Sequence, residues 1–173
     1  VQCYEEINDE RDCIEFLKDH IEDNPYSEAA WLQLGLLYNH QKEYNEAINS
    51  FDYVIAINPN SISAHTHKAN SLDALGEFSN AITTLEETLE YDTSPATTYL
   101  KIGELYEKLD KPQKALKAYH ICIKEDPQLD KAWANIACLY DKLTNFEEAE
   151  YYINRAIELD DKNVNYYKNS IYY

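Results

Sequence analysis

The side chains in this chain that could do chemistry are scattered. Metal binding or general-base catalysis would need two of His20, His40, His65, His67 and His120 on one face, or one of them beside a Cys or carboxylate. His65 and His67 are two residues apart, about 200° around a helix of 3.6 residues per turn, so they cannot share an ion. The other three histidines have no convergent partner in the sequence. Cys3, Cys13, Cys122 and Cys138 form no C-x-x-C pair and no finger spacing with His, which leaves reduced, mostly buried thiols as the expectation. The acidic pairs Glu86-Glu87 and Glu147-Glu148 fall on solvated faces, where paired acids serve solubility. Three glycines cannot build a P-loop, a dinucleotide fingerprint or a nucleophile elbow. No catalytic dyad, metal site or cofactor is expected, and the chain is read as having no enzyme activity of its own.

Charge excludes further classes. Lys and Arg number 15 against 32 Asp and Glu, a net charge of -17, which opposes nucleic-acid backbones and anionic membranes. Much of the excess is local: residues 1–28 hold ten acids against Arg11 and Lys18. No apolar run of about 18 residues and no signal segment is present, so a cytoplasmic protein without a membrane span is expected. The sequence contains no Met and is expected to be an excerpt of a longer protein.

The elements that must position these residues follow from a single period. Trp31, Leu34, Gly35 and Tyr38 lie on one helical face, Ala47 and Phe51 on a second, and Pro59 closes the unit. Ala47, Ala81, Ala115 and Ala149 recur at a spacing of 34, and Trp31 returns as Trp133 after three periods. Apolar residues at i, i+3, i+4 and i+7 predict helices throughout, with no competing strand alternation.

Residues 1–27 read as the end of an earlier unit, with a helix from about Glu10 to Glu22 that turns Ile14, Leu17 and Ile21 inward and a stub or frayed end before it. Residues 28–61, 62–95, 96–129 and 130–163 read as four full units, with Ser27 a candidate N-cap, Pro112 opening a second helix and Ser94-Pro95 opening a first one. Residues 62–95 are the degenerate unit: His65 stands where Trp31 does, Lys68 replaces Leu34 and Leu72 replaces Tyr38. That unit is expected to be a soft point in the stack or the place where a partner is recognised. Residues 164–173 have the length of one first helix or cap, whose Tyr166, Tyr167, Tyr172 and Tyr173 would leave an apolar end partly exposed.

The order W-x2-L-G-x2-Y, then a small residue and an aromatic, then Pro resembles the tetratricopeptide repeat. The resemblance implies an all-α, right-handed α-solenoid of stacked antiparallel helix pairs, a single array over 1–173 whose first helices line a concave groove. It also implies a protein or peptide as partner. Carried onto this chain, the groove positions are Gln33, Leu36, Asn39 and His40, then His67, Asn70 and Asp73. They continue with Lys101, Glu104, Glu107 and Lys108, and with Lys131, Asn135, Asp141 and Lys142. Cys138 would fall on the same side.

The chaperone-binding members of the family grip a C-terminal carboxylate with Lys and Asn side chains. Here Asn70 and Lys131 match that clamp, but Thr66, Lys101 and Asn135 stand at its other three places, so a chaperone C-terminal peptide is not expected. The expected role is a non-catalytic scaffold that binds protein or peptide segments. The alternatives are a regulatory or substrate-recruiting arm of a larger enzyme or assembly, and self-association through the tyrosine-rich end.

Overall fold

The structure is a computed structural model that describes residues 10–160, 162, 163 and 166. The described residues form helices and turns without a strand. The order is α1 (Glu10–Asp23), α2 (Glu28–His40), α3 (Tyr44–Ile57), α4 (Ile62–Ala74), α5 (Phe78–Glu86), α6 (Ala96–Lys108), α7 (Pro112–Glu125), α8 (Asp130–Lys142) and α9 (Phe146–Leu159). Two compact units divide between Asp92 and Thr93. In the first, α1 packs on α2, α2 on α3, α3 on α4 and α4 on α5; in the second, α6 packs on α7, α7 on α8 and α8 on α9. The all-α class is as expected from the periodicity, and α1 begins where the sequence places it and buries Leu17 and Ile21 as expected, but Cys13 is the third buried residue and Ile14 is only half-buried against that core. The stub proposed for residues 1–7 lies outside the described residues.

Each first helix ends in the same way. Lys42 lies at φ 62°, Gly76 at 80°, Asp110 at 54° and Thr144 at 59°, one period apart in the left-handed region. The Glu43 N–H donates to the Tyr38 carbonyl at 2.9 Å and the Lys42 N–H to Asn39 at 3.1 Å. Glu77 with Leu72, Lys111 with Tyr106, and Asn145 with Tyr140 repeat the longer bond, each at 2.9 Å. These are Schellman caps, which satisfy the orphan carbonyls of the helix end and reverse the chain in three residues. Only Gly76 adopts that backbone without steric cost.

Within each pair the helices meet over a small residue. An added Cβ at Gly35 would stand 2.5 Å from Phe51 Cε1, and one at Gly103 would stand 2.5 Å from Tyr119 Cδ1. Phe51 and Tyr119 are both fully buried. The core of the first unit gathers Leu17, Leu34, Tyr38 and Phe51, and that of the second Leu100, Tyr119, Cys122 and Ile136.

Other expectations need adjustment. Ser27 does cap α2, its hydroxyl accepting from the Ala30 N–H at 3.4 Å, and Pro112 does open α7. Pro95, however, is the residue before α6, and Ala96 is the first helical one, because Pro95 sits at ψ 3° outside the helical range. Tyr166 is buried, not left exposed: it packs with Ala134, Ala137 and Ile153, and its hydroxyl donates to Asp130 Oδ2 at 2.6 Å. Tyr167, Tyr172 and Tyr173 lie outside the described residues. Among the described residues no helix is long and apolar enough to cross a membrane.

Two predictions follow from this packing. Thr144→Gly is expected to stabilise the chain by about 1 kcal/mol, since a β-branched residue in the left-handed region is strained, and Gly76→Ala to destabilise it similarly; urea denaturation measures both. Gly103→Ala is expected to cost about 1–3 kcal/mol by overpacking. In a Tyr119→Leu background the same change should lose that cost and show the helix propensity of Ala instead. A Gly103→Ala cost that is equal in both backgrounds would refute the contact.

Candidate functional site

The period of 34 places the candidate groove residues at equivalent positions on successive first helices: Gln33, His67, Lys101 and Asn135; Leu36, Asn70, Glu104 and Cys138; Asn39, Asp73, Glu107 and Asp141. In each unit these positions stand one turn apart along the helix, so they form rows on one face.

In the first unit this face is carried by α2 and α4. Gln33, Asn39, His67 and Asp73 are half-buried, while Leu36, His40 and Asn70 are exposed. His67 stacks on Phe51 with ring centroids 5.6 Å apart, and burial there pushes the His67 imidazole below its ordinary value. Thus the ring that fills the space over Gly35 also supports a polar residue on the candidate face. The Ser71 hydroxyl bridges the two helices, lying 2.7 Å from Asn39 Oδ1 and 3.0 Å from the His67 carbonyl. Ser71 was not singled out from the sequence, although it stands where the other units have Leu37, Leu105 and Leu139. A lone polar residue at an apolar position of a repeat is the signal that could have found it.

The degenerate pair is filled by a different set of contacts. Trp31 Nε1 donates to the Pro25 carbonyl at 2.9 Å and Trp133 Nε1 to the Pro127 carbonyl at 3.0 Å. Between them in the chain, the Pro59 carbonyl receives the Tyr91 hydroxyl at 3.1 Å. His65, 2% exposed, takes the indole's place: its Nδ1 donates to the Ser61 carbonyl at 2.9 Å, and its Nε2 lies 3.6 Å from Glu87. Lys68 pairs with Asp52 at 2.6 Å. These partners satisfy the two residues that break the repeat pattern.

In the second unit the face is carried by α6 and α8 and is charged. Lys131 Nζ lies 2.6 Å from Glu104, and Lys142 Nζ lies 3.0 Å from Glu107. The carboxylates are the firmly held partners, their side chains 25% and 22% exposed, whereas the two lysines are 57% and 65% exposed. Glu107 is braced from below by the Tyr119 hydroxyl, which donates to Oε1 at 2.7 Å. Burial first, and that hydrogen bond second, push the Tyr119 hydroxyl far above the ordinary phenol value, so it remains a donor. Lys101 and Asn135 are half-buried, and Lys108 and Asp141 are exposed. Cys138 is half-buried, and burial is the main cause that raises its thiol; the buried Cys122 is pushed up to about 11 for the same reason. Neither is a reactive thiolate at neutral pH. Among the described residues no group of three His, Cys, Asp or Glu side chains could hold a metal ion.

Consecutive helix pairs closed by Schellman caps, with a small residue against a buried ring or branched side chain at a fixed interval, define an all-α repeat protein. Models of the tetratricopeptide repeat match residues 28–61, 97–128 and 130–163, and the chain belongs to that family. It is 30% identical over 136 residues to the general transcriptional corepressor ssn6 of Schizosaccharomyces pombe, covering 78% of this chain and 12% of that protein. It is 26% identical over 141 residues to the general transcriptional corepressor trfA of Dictyostelium discoideum, covering 79% and 10%. The chain therefore spans about a tenth of the length of these relatives. The crystal structure of MamA superposes with a TM-score of 0.80 at 25% identity, covering 88% of this chain and 89% of that one.

Burial that lowers the His67 imidazole has a consequence for stability. Below its ordinary value of 6.5 the unfolded chain binds a proton that the folded chain resists, so stability is lost as pH falls through that range. His67→Gln is expected to flatten the pH dependence of the melting temperature between about pH 7 and 5. An unchanged slope would show that His67 is not desolvated by its stack on Phe51.

Proposed function

We propose that the chain is a non-catalytic protein- or peptide-binding module that uses the first-helix face of its repeats, and that it serves as a scaffold in the cytoplasm. The observation that carries this is the row of half-buried polar side chains at equivalent positions, Gln33 and His67 in one unit, Lys101 and Asn135 in the other. Side chains held by packing lose little further entropy on binding, and amides and ammonium groups one turn apart suit the carbonyls and side chains of an extended segment. Leu36, Asn39, His40, Asn70 and Asp73 complete the proposed face in the first unit. Glu104, Glu107, Lys108, Lys131, Asp141 and Lys142 do so in the second.

The family membership and the names of the curated relatives, corepressors among them, support a role in protein interaction. A second reading has its own observation: because the chain spans so little of those relatives, it serves as the recruiting arm of a larger assembly, with any catalysis elsewhere. Both readings use the same face.

A displayed library of random extended peptides provides the test. Peptides enriched on the chain are expected to lose binding at least about tenfold, or 1.4 kcal/mol, to a variant carrying Asn70→Ala, Lys101→Ala and Asn135→Ala with an unchanged melting temperature. Equal binding by the variant would place the ligand on another surface.

A further inference from the structure

The charge of the chain is unevenly divided. Residues 1–92 carry nineteen Asp and Glu against four Lys and Arg, whereas residues 93–173 carry thirteen against eleven. Two exposed helix faces hold the extremes of this division. On α1, Asp12, Glu15, Asp19 and Glu22 are all exposed. Their spacings of 3, 4 and 3 put them in one row about 15 Å long, with Phe16, 50% exposed, beside it. On α7, Lys114, Lys117 and Lys124 are exposed and occupy the first, second and fourth places of an identical row, whose third place is the half-buried Ile121. From Pro112 to Lys124 that helix contains no acid. Neither row can turn inward, because the opposite side of α1 commits Cys13, Leu17 and Ile21 to the core, and that of α7 commits Ala115, Tyr119 and Cys122.

We propose that the acidic row of α1 docks on the basic row of α7 in a second copy of this chain. A 3-4-3 spacing reads the same in both directions, so three acid–lysine pairs come into register whether the two helices run parallel, with Asp19 opposite Ile121, or antiparallel, with Glu15 opposite it. Phe16, beside the acidic row between Glu15 and Asp19, is the apolar side chain that Ile121 meets at the edge of the paired rows in either direction. The net charge of -17 opposes approach at long range, but at physiological salt the screening length is about 8 Å and the facing rows decide the short-range energy. Single exposed ion pairs contribute little. Several aligned pairs that lose water together instead provide orientation and strong salt dependence. The two patches differ, so the interface is heterologous and either closes a ring or extends head to tail. It lies on the second helices α1 and α7 and leaves the first-helix face unoccupied.

Charge reversal tests this with the whole chain. In sedimentation velocity at about 0.15 M salt, where the screening length is about 8 Å, the chain is expected to increase in mass with concentration and to return toward monomer at about 0.5 M salt, where screening shortens to a few Å. A variant with Lys114→Glu, Lys117→Glu and Lys124→Glu, and another with Asp12→Lys, Glu15→Lys and Asp19→Lys, should each be monomeric alone. An equal mixture of the two should associate again, since each then presents the row that the other lacks. Lys114→Gln, Lys117→Gln and Lys124→Gln should abolish association while preserving helix content by circular dichroism. A chain that stays monomeric at about 0.15 M salt, or a mixture that fails to recover association, overturns the proposal.

Discussion

The structure depends on how closely the first helix of each pair can approach the second. Where the second helix presents a ring, the first offers no side chain at all: Gly35 faces Phe51 and Gly103 faces Tyr119. At the equivalent places the other two units pair Ala69 with Leu85 and Ala137 with Ile153. The sum of the two residues is nearly conserved while each varies, as expected of a contact filled to the density of a crystal. Because the rings are fully buried, they cannot move aside for a Cβ. The aromatic that closes the contact then supports what lies above it, His67 on Phe51 and Glu107 on Tyr119. Packing within a pair and the chemistry of the exposed face are therefore coupled through one side chain.

Much of this was legible in the sequence, for a physical reason. A repeat of 34 residues displays each packing position four times, so Gly35, Phe51, Ala47 and Pro59 are identified by recurrence and not by propensity alone. What recurred in conformation but not in residue type was not legible. The left-handed cap is occupied by Lys42, Gly76, Asp110 and Thr144, and only Gly76 announces it. Pro95 was misplaced by one residue because a proline is compatible with both the capping and the first helical position. That the candidate first-helix positions share a face follows from their spacing, but their pairing does not. That Glu107 reaches Lys142 and Glu104 reaches Lys131 depends on the distance between two helices, which no spacing within one helix contains.

The degenerate unit shows how a repeat tolerates losing its largest anchor. An indole fills volume and donates one hydrogen bond to the preceding proline carbonyl, as Trp31 and Trp133 both do. Replacing it with His65 leaves that carbonyl unserved and introduces a ring with two polar atoms. Both costs are met from outside the helix: Tyr91 supplies the donor to Pro59, and Ser61 accepts from His65. The same unit has the shortest of the described helices, α5 with nine residues, and Tyr91 comes from the turn that follows it. Ending the helix early frees the chain to bring that hydroxyl back. The departure from the pattern is thus a set of linked substitutions, and an unsatisfied buried imidazole would have been far more costly than any of them.

The internal pairing of charges limits how the second unit's face could recognise anything. A ligand group approaching Glu104 or Glu107 meets a carboxylate already paired with a lysine, so only the difference between the new pair and the old one would contribute. The asymmetry of exposure gives that difference its sign. The lysines are the more exposed members and the carboxylates the more confined, with Glu107 additionally fixed by Tyr119. Displacing a lysine into water restores its hydration and side-chain freedom, whereas displacing a carboxylate would break a hydrogen bond to a buried hydroxyl. Breaking these pairs would therefore favour release of the lysine over release of the carboxylate.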